Sequence, residues 1–588
     1  MRKTKIVATL GPASNDIETI KRLISAGMNA ARINFSHGSY ESHEQTVSTL
    51  KQAREEMHAP IPLILDTKGP EIRIKSFDTE QVDLKQGNTF TLTTTDIVGD
   101  ESRVAITYAD LPKDVKAGSR ILIDDGLVEL TVTGISGPDI VCMVENNGTL
   151  SANKGVNVPD AYVNLPSLTE KDVEDIKFGI RQGFEYIAAS FIRNANDVLE
   201  IRNVLEENGG NDIMIIAKIE SRDGVNNIDA ILELADGIMV ARGDLGVEIP
   251  AEEVPLVQKT LIRKANEKGK PVITATQMLE SMITNPRPTR AEANDVANAI
   301  YDGSDAIMLS GETAKGAYPV EAVKMMSRIA EATESSIDYD EKLFATNTGE
   351  AFRTTITNAL SFAACVTALD LRSACIVTVT DSGFTTKMVS RCRPSCPILA
   401  VTQVRTIWRQ LNLTWGCVSA LAQEIKGDSE VFETALEMAV AQGLARDGDS
   451  IAIVAGVPIG TAGTTNTLKV QIVGNVITKG QGYGSRVVSG NANVIKVLEE
   501  AEKYFRPGEI LVTTKTSNDL MPYIKRASAI VVGSYEPLDH AHAITVAAAL
   551  DKPLIIANQK VVDLITDGYA ITVDTKQGFV YNGIRSSI

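Results

Sequence analysis

The sequence contains few cysteines, few histidines and few aromatic residues. Its 588 residues include six cysteines, which are scattered along the chain. That distribution is typical of free thiols in a reducing compartment and does not suit the disulfide framework of a small secreted domain. Cys392 and Cys396 are four residues apart, but because the whole protein has only five histidines and no second pair lies nearby, a zinc site is not expected.

The sequence also has fewer basic than acidic residues and lacks long apolar runs. The chain has 58 lysines and arginines against 75 aspartates and glutamates, a formal net charge of −17. Such a balance argues against broad neutralisation of nucleic-acid phosphates, although it is compatible with a local basic pocket. No apolar stretch reaches the roughly 20 residues of a membrane span, and the run near the N-terminus stops at Gly11-Pro12, too early for a secretion signal. We expect a cytoplasmic protein with neither a nucleic-acid nor a membrane partner.

The sequence does contain a recurring short apolar run followed by an amphipathic stretch of helical period. The runs lie at residues 4–9, 30–34, 62–66, 186–190, 213–218, 237–241, 271–275 and 306–310. Near-continuous apolar runs indicate strands that are buried on both faces. Eight of them alternating with helices predict an α/β fold built on a (β/α)8 TIM barrel.

The barrel pattern is interrupted between residues 66 and 186. This stretch alternates polar and apolar residues between glycine turns, which predicts a small β-barrel domain. Inserted at the barrel mouth after the third strand, the domain is placed to close over the site as a lid. We assign residues 1–69 and 168–340 to the catalytic barrel and residues 70–167 to the lid.

Two further α/β series follow, in keeping with the roughly three to five domains expected for this length. Residues 341–473 contain apolar runs at 375–379, 398–401, 450–454 and 469–472, which predict a parallel-sheet domain. Residues 474–588 form the last unit and begin with a glycine-rich stretch at 479–484. Its spacing resembles a nucleotide loop, but no strand–helix context surrounds it, so we interpret it as a flexible linker.

Polar residues stand where the barrel runs end, namely Asn34, Asp66, Lys218, Glu220, Asp244, Thr276 and Ser310. The carboxyl ends of parallel barrel strands converge on one mouth, where the chemistry of such folds takes place. Lys218 and Glu220 point the same way from one strand, and Asp244 comes from the next. Two carboxylates from neighbouring strands suit Mg²⁺ or Mn²⁺. A lysine beside that metal can stabilise negative charge on a transferring group or an enolate.

Simpler interpretations of some of these residues stay open. An ion pair between barrel strands also explains Lys218 and Glu220, and a turn also explains Asp244. His37 has an alternative as an ordinary loop histidine.

A second polar group follows the second and third strands. The oxygen donors placed to hold a second cation are Asn34, Ser36, Asp66 and Thr67. Arg32 is placed to bind an anionic substrate bidentately, and Arg73 stands at the start of the inserted domain. A mouth with two cations, two arginines and a lysine predicts a phosphorylated, carboxylated small molecule as substrate.

At these positions the sequence resembles the pyruvate kinase family. The matching motifs lie, in the family's order, at residues 34–38, 65–73, 154–157, 213–225, 239–246, 274–279 and 308–314. The resemblance implies transfer of the phosphoryl group of phosphoenolpyruvate to ADP, which gives pyruvate and ATP in the last step of glycolysis. It also implies Mg²⁺ (or Mn²⁺) and K⁺ as cofactors and a homotetramer.

The resemblance implies a role for each site residue. Those expected in catalysis are Lys218, Thr276, Ser310 and Arg32. Those expected to bind phosphoenolpyruvate are Arg32, Gly243, Asp244 and Thr276. Mg²⁺ is expected on Glu220 and Asp244, and K⁺ on Asn34, Ser36, Asp66 and Thr67, with Glu71 accompanying K⁺ dependence. The nucleotide-side residues are Asn34, His37, Arg73 and Lys154. Thr276 and Ser310 begin a hydroxyl and water route that protonates the enolpyruvate.

The third domain resembles the regulatory domain of the family, which implies a phosphorylated allosteric effector. The turn that could hold its phosphate offers hydroxyls and backbone N–H groups at Thr380, Ser382, Gly383 and Thr385. Phe384 stands where the family usually has arginine or lysine. Fructose bisphosphate, ribose 5-phosphate and AMP therefore all remain candidate effectors.

The last unit resembles the extra C-terminal domain of bacillus-type pyruvate kinases, itself similar to the phosphohistidine domain of phosphoenolpyruvate-utilising enzymes. Alignment places His542 at the phosphorylated histidine. However, the family's Thr-Ser-His is replaced by His-Ala-His at residues 540–542, and its glycines by Tyr-Glu-Pro at 535–537. We expect a structural or interface domain here. For the whole chain, two alternatives are a barrel lyase or aldolase with a metal-bound pyruvate enolate, and a catalytically silent sensor of sugar phosphates.

Overall fold

The chain divides into two compact units by the density of its internal contacts. The computed structural model describes residues 1–159, 161, 163–346, 355–425, 427–458, 465–474, 476–497, 505–533, 540–557 and 559–584. Unit 1 comprises Met1–Cys365, Thr378–Asp428 and Val454–Thr467, and unit 2 comprises Val366–Val377, Ser429–Ile453 and Leu468–Ile588. Within the described residues, no helix is both long enough and apolar enough to span a membrane.

The first three strands of unit 1 lie side by side and parallel. They are β1 (Lys5–Thr9), β2 (Ala30–Asn34) and β3 (Leu63–Asp66). Helices Ile17–Ala26 and Tyr40–Glu56 connect them. Each helix begins where a side chain accepts a hydrogen bond from a free backbone N–H group, at Asp16 and at Ser39. The register places Asn34 opposite Asp66, so two polar strand ends are neighbours.

The chain then forms the predicted β-domain. Its strands are β4 (Ile72–Arg73), β5 (Gln81–Leu84), β6 (Thr89–Thr93), β7 (Arg103–Ala105), β8 (Arg120–Ile123), β9 (Val128–Ser136), β10 (Asp139–Val144), β11 (Gly148–Ser151) and β12 (Gly155–Asn157). Seven of them form a curled sheet in the order β4-β12-β8-β9-β10-β6-β7, and β11 pairs with β5. Helix Leu111–Asp114 follows β7. Alternate residues face a separate apolar core, in which Phe90, Ile121 and Leu130 are fully buried.

Five more strands return to the barrel and close it. They are β13 (Tyr186–Ala189), β14 (Met214–Ile219), β15 (Gly237–Ala241), β16 (Val272–Ala275) and β17 (Ala306–Leu309). The closed order is β1-β17-β16-β15-β14-β13-β3-β2, and every pair is parallel. The predicted eight-stranded barrel is confirmed, and each strand end lies within one residue of its predicted position.

Helices surround these five strands. They are Glu170–Gln182, Ala195–Glu207, Arg222–Asn226, Ile228–Leu234, Arg242–Glu248, Val254–Lys268, Arg290–Tyr301, Gly311–Ala314, Pro319–Glu334 and Tyr339–Thr346, with a 3₁₀ turn at Glu280–Ile283. Outward strand residues such as Leu65 and Ile215 pack against the helices, whereas inward residues such as Ile64 and Ile216 form an inner core. Burial on both faces explains why the strand sequences are apolar throughout.

The predicted third α/β unit contains a five-stranded sheet. Its strands are β18 (Cys375–Val379), β19 (Ile398–Thr402), β20 (Cys417–Leu421), β21 (Ser450–Gly456) and β22 (Thr465–Ile472), in the order β20-β19-β18-β21-β22. The helices of this region are Ile356–Asp370, Phe384–Arg391, Arg405–Gln410 and Asp428–Ala441, with a 3₁₀ turn at Leu411–Leu413. Sequence analysis missed β20, which is short and has a serine in its middle.

The last region forms a second closed barrel. Its strands are β23 (Val476–Tyr483), β24 (Val487–Ile495), β25 (Ile510–Thr513), β26 (Ala529–Gly533), β27 (Leu554–Ala557), β28 (Ala570–Asp574) and β29 (Phe579–Asn582), in the order β23-β27-β26-β25-β24-β28-β29. Its helices are Met521–Arg526, Ala541–Ala549 and Val561–Leu564, with a 3₁₀ turn at Asn518–Leu520.

The interpretation of residues 479–484 as a flexible linker is wrong, because all of them except Gly484 lie in β23. The glycines are needed for close packing of backbone on backbone. A Cβ atom on Gly480 would collide with the carbonyl oxygen of Ile556, and one on Gly482 with that of Thr575. Glycine inside a strand therefore marks a close backbone approach here.

Candidate active site

A continuous network of charged side chains lies at the carboxyl end of the first barrel. Asp66, at the end of β3, accepts hydrogen bonds from Arg32 Nε at 2.6 Å and from Lys218 Nζ at 3.0 Å. Burial of Asp66 opposes its ionisation, but Arg32 and Lys218 outweigh burial and lower the pKa of the carboxyl group. The arginine is held further by Thr9, whose Oγ1 accepts from Nη1 at 3.0 Å.

Lys218 links this pair to the rest of the mouth. Its Nζ lies 2.9 Å from Glu220 Oε1 and donates to Ser190 Oγ at 2.7 Å. Burial acts against the charge of the lysine, but Asp66 and Glu220 prevail and raise its pKa. The amine is therefore held as a cation. Ser190 was not predicted as a site residue. It is nevertheless a polar residue at the end of the apolar run of the fourth barrel strand, as are the predicted site residues on the other strands.

Two carboxylates stand side by side at the edge of the network. Burial raises the pKa of Glu220 to about 7, and Asp244 adds to the shift, whereas Lys218 opposes it. Asp244 is open to the cavity above it, yet the protein around it excludes enough water to raise its pKa as well, and neighbouring Asp125 contributes. Removing both protons is costly unless a cation compensates.

The backbone beside Glu220 supports the same conclusion. Phe191 has a positive φ of 55° and donates its N–H to Glu220 Oε2 at 2.6 Å. An uncommon backbone conformation thus fixes the orientation of the carboxylate. Two neighbouring carboxylates, of which Glu220 is oriented by the backbone, fit Mg²⁺, which is usually held by one or two carboxylates together with substrate phosphates.

Thr276 joins the helix Arg242–Glu248 to the end of β16. Its Oγ1 accepts from the Gly243 N–H at 2.8 Å and donates to the Ala275 carbonyl at 2.7 Å. Arg242, which sequence analysis missed, donates to the Thr276 carbonyl at 2.7 Å and pairs with Asp295 at 2.7 Å. Thr276 has a positive φ of 64°, so these bonds hold a strained residue in place.

Ser310 follows β17 at the mouth. Its N–H donates to Glu312 Oε2 at 2.8 Å, which fixes the backbone. Its buried hydroxyl has no hydrogen-bond partner among the described residues. Buried polar atoms of this kind call for an explanation, and a bound water or a ligand supplies one.

The predicted second-cation donors lie at the ends of the adjacent strands β2 and β3 or in the loops that follow them, and their oxygens have different hydrogen-bond partners. Asn34 Oδ1 accepts from the Ser36 N–H at 3.0 Å, and Thr67 Oγ1 accepts from the Ser190 N–H at 3.1 Å. Each oxygen keeps acceptor capacity beyond that one bond. Asn34 and Ser36 are half-buried, whereas His37 is exposed on the loop that follows.

A cavity of about 640 Å³ lies between the β-domain and the barrel mouth. Charged residues that line it include Glu71, Arg73, Asp124, Lys154, Asp244 and Glu248. Arg73 donates to Glu71 at 2.7 Å, and Lys154 to Asp124 at 2.8 Å. Asn157 of the β-domain donates to Glu248 of the barrel at 2.8 Å, which joins the two walls. Of the predicted nucleotide-side residues, Arg73 and Lys154 line this cavity, and Asn34 and His37 do not.

These features define an enzyme of the (β/α)8-barrel class whose mouth combines paired carboxylates with fixed cationic side chains under a β-domain. The chain matches the family description "Pyruvate kinase, barrel domain" over residues 1–323, "Pyruvate kinase, alpha/beta domain" over 358–471, and "PEP-utilising enzyme, mobile domain" over 505–578.

Curated relatives match along the whole chain. A pyruvate kinase of Geobacillus stearothermophilus is 49% identical over 587 residues, covering 100% of this chain and 99% of the relative. One of Bacillus licheniformis is 48% identical over 590 residues, covering 100% of both. A solved pyruvate kinase from Cryptosporidium parvum superposes with a TM-score of 0.77 and 40% identity, over 80% of this chain and 96% of that one. The chain belongs to the pyruvate kinase family and carries the C-terminal mobile domain of phosphoenolpyruvate-utilising enzymes, which confirms both resemblances.

Proposed function

We propose that this chain transfers the phosphoryl group of phosphoenolpyruvate to ADP, giving pyruvate and ATP. Family membership supports this reaction, and one structural observation carries it, the unbroken network Arg32–Asp66–Lys218–Glu220 next to Asp244 at the barrel mouth. The site holds cationic groups for an anionic substrate and carboxylates for a metal ion. The proposed division of labour follows the predicted domains, with the barrel at 1–69 and 168–340, the lid at 70–167, a regulatory domain at 341–473 and the extra domain at 474–588.

Each side chain of the network has a place in this reaction. The bond between phosphorus and the enol oxygen breaks, and a β-phosphate oxygen of ADP forms the new bond to phosphorus. The enolate that leaves takes one proton from water at its methylene carbon and becomes pyruvate. Lys218 and Arg32 stabilise charge on the phosphoryl oxygens and on the enolate, where electrostatic effects matter most. Glu220 and Asp244 would hold Mg²⁺ or Mn²⁺, which would supply neutralisation of phosphate charge. Oxygen atoms of Asn34, Ser36, Asp66 and Thr67 would hold K⁺.

A coupled turnover assay tests the reaction directly. Purified protein should form ATP from phosphoenolpyruvate and ADP only with Mg²⁺ or Mn²⁺, and faster with K⁺ than with a large organic cation. A lyase or aldolase would instead release pyruvate without ADP, and a silent sensor would show no turnover. Absence of ADP-dependent turnover with both cations present would refute the proposal.

The protonation route gives a separate prediction. Ser310→Ala should slow exchange of the methyl protons of pyruvate in D₂O by about 10²-fold, the lower range for a positioned proton-transfer group. Its melting temperature should not change, because the hydroxyl has no hydrogen bond to lose among the described residues. NMR measures the exchange, and Ser335→Ala, at an exposed serine, is the matched control. Exchange at the wild-type rate in Ser310→Ala would remove Ser310 from the route.

Lys154 gives a prediction about the nucleotide. Lys154→Ala should raise KM for ADP about tenfold, the value of one charge-assisted hydrogen bond, and leave KM for phosphoenolpyruvate nearly unchanged. Initial-rate kinetics separate the two constants. Lys113→Ala removes a lysine of the same domain that pairs with Asp110 on the exposed surface, and should behave as wild type. Equal effects of the two substitutions would argue against a nucleotide contact at Lys154.

A phosphorylated effector is proposed for the turn before the helix Phe384–Arg391. Gly383 has a positive φ of 78° and donates its N–H to Thr380 Oγ1 at 3.0 Å, and the Ser382 side chain is exposed. Thr385 Oγ1 lies 2.6 Å from Thr465 Oγ1, so its hydroxyl already has a partner. Adding fructose bisphosphate, ribose 5-phosphate or AMP to the turnover assay tests which one lowers KM for phosphoenolpyruvate.

The remaining proposals concern assembly and the last domain. A homotetramer is proposed from the family, and sedimentation equilibrium of the full chain tests it. His542 Nδ1 lies 2.9 Å from Thr516 Oγ1, and its Nε2 lies 3.2 Å from Asn518 Oδ1. Because both ring nitrogens have partners, we assign this domain a structural or interface role and no phosphotransfer step. Residues 535–537, whose sequence departs from the phosphohistidine pattern, lie outside the described residues.

A further inference from the structure

The amino-terminal end of the catalytic barrel, opposite the mouth, is covered by residues 410–417, which we call the plug segment. The hydrogen bonds that dock it include Tyr186 Oη to the Gln410 carbonyl (2.9 Å), Asn412 Nδ2 to the Asn29 carbonyl (2.7 Å), Gly416 N to the Lys3 carbonyl (2.9 Å), and Lys5 Nζ to the Cys417 carbonyl (2.5 Å). The plug segment and the barrel belong to the same compact unit. The barrel floor is therefore made by a segment from outside the barrel sequence.

Leu413 is the residue of the plug segment that packs with the inner core of the barrel. It is fully buried and belongs to the inner apolar cluster formed by inward-facing residues of the strands. Its companions in that cluster include Val7, Ala30, Ile64, Tyr186, Ile216 and Met239. Leu413 thus completes the core of the barrel, whose inner side chains otherwise come from its own strands.

The charged network lies one layer above this cluster. Side chains alternate along a strand, so residues two positions apart point the same way. Ile64 precedes Asp66 by two residues, and Ile216 precedes Lys218 by two. The apolar cluster that includes Leu413 therefore lies next to the network, which follows at a rise of roughly 7 Å along the strands.

The plug segment also touches the candidate effector turn. A Cβ atom built on Gly383 would lie 3.1 Å from Leu411 Cδ2 and 3.6 Å from Ile407 Cγ2. Leu411 is itself buried, in a cluster with Ala400 and Cys417. Only one residue, Asn412, separates Leu411, which lies beside the turn, from Leu413, which lies in the inner core of the barrel.

We propose that Leu413 is a positioning residue for the reaction. By filling the amino-terminal end of the barrel, it fixes the positions of Lys218 and Asp66 along the barrel axis. Leu411 connects this end of the barrel to the effector turn. This inference rests on the proposed function, since it assigns a means of regulation to the same site. Packed cores respond to small shifts by discrete rearrangement, which makes such a route physically reasonable. Coupling between the turn and the barrel floor is a free energy that a double-mutant cycle measures.

The first test compares two buried leucines. Leu413→Ala should lower kcat by about tenfold or more, because small misplacements of reacting groups are costly, and should leave KM for ADP unchanged. Leu261→Ala removes the same atoms from the outer core of the barrel, where Leu261 is also fully buried. It should lower the melting temperature similarly without lowering kcat. Leu413→Met, which refills the space, should restore kcat.

The outcomes separate the inference from the proposed function. Inactive wild-type protein would refute the function, whereas active wild type with equal kcat in Leu413→Ala and Leu261→Ala would refute the positioning role alone. If Leu413→Ala does not fold, Leu413→Val against Leu261→Val gives the same comparison with a smaller cavity.

The second test is a double-mutant cycle. Leu411→Ala removes the side chain that lies against the turn at Gly383 and should change KM for phosphoenolpyruvate in the wild-type background. In the Leu413→Ala background that change should shrink at least threefold, because residues that act through one contact are non-additive. Additive effects would break the proposed connection between the turn and the barrel floor.

Discussion

Replacing Lys218 with methionine should lower kcat by about 10³-fold, the loss typical of removing one group that stabilises transition-state charge. The side chain keeps nearly the same length, but Asp66 and Glu220 lose the amine that lies within 3.0 Å and 2.9 Å of them. KM for ADP should change little, because Lys218 does not line the cavity beneath the lid. Steady-state kinetics with both substrates measure these effects.

The control for this substitution is Lys264→Met. Lys264 lies on an outer helix of the barrel and pairs with Asp229 at 2.6 Å, away from the mouth. Its loss should leave kcat within about twofold of wild type, since a surface ion pair contributes little even to stability. If Lys218→Met turned over at a comparable rate, Lys218 would be an ordinary ion-pair partner between strands, which is the simpler interpretation of its sequence position.

Replacing Glu220 with glutamine should raise the Mg²⁺ concentration for half-maximal activity at least tenfold and lower kcat at saturating Mg²⁺ by about 10²-fold. The first effect follows because Mg²⁺ binds through few protein carboxylates, so losing one removes much of the site. The second follows from poorer neutralisation of the phosphates. The amide oxygen still accepts from the Phe191 N–H, which lies 2.6 Å away in the wild type, so the backbone should be preserved.

Titration of activity with Mg²⁺ and with Mn²⁺ measures the change, and Glu253→Gln is the matched control. Glu253 pairs with Arg222 at 2.7 Å and takes no part in the network. Asp244→Asn should resemble Glu220→Gln, because the two carboxylates are neighbours whose pKa values are both raised. An unchanged Mg²⁺ requirement in both variants would place the divalent site elsewhere.

Much of the catalytic barrel could be predicted because its strands are encoded locally. Each strand is apolar on both faces and ends at a polar residue, and the parallel topology brings those ends together. Asp66, Lys218 and Glu220 could be identified in this way before any contact was known. Ser190 carried the same local signal, but only its 2.7 Å hydrogen bond from Lys218 shows that it belongs to the network.

Other features depend on approach between distant segments, for which local periodicity carries no information. The glycines of β23 are required because other backbone segments pack closely against them. Such packing produces no apolar pattern in the sequence, so the segment resembles a flexible linker. The role of Arg242 follows only from its tertiary contacts, a hydrogen bond to the Thr276 carbonyl and an ion pair with Asp295, which the sequence around it does not indicate.

The barrel, the lid between its third and fourth strands, and the polar residues at the mouth could all be predicted from the order of residues, because the apolar runs of buried strands and the alternation of half-buried strands are local sequence patterns. The tertiary structure alone decided that Asp66 is shared by Arg32 and Lys218, and that Leu413 fills the barrel floor from far along the chain. Such contacts join residues that are far apart in the sequence. They form only when folding brings those segments together, so no local pattern predicts them.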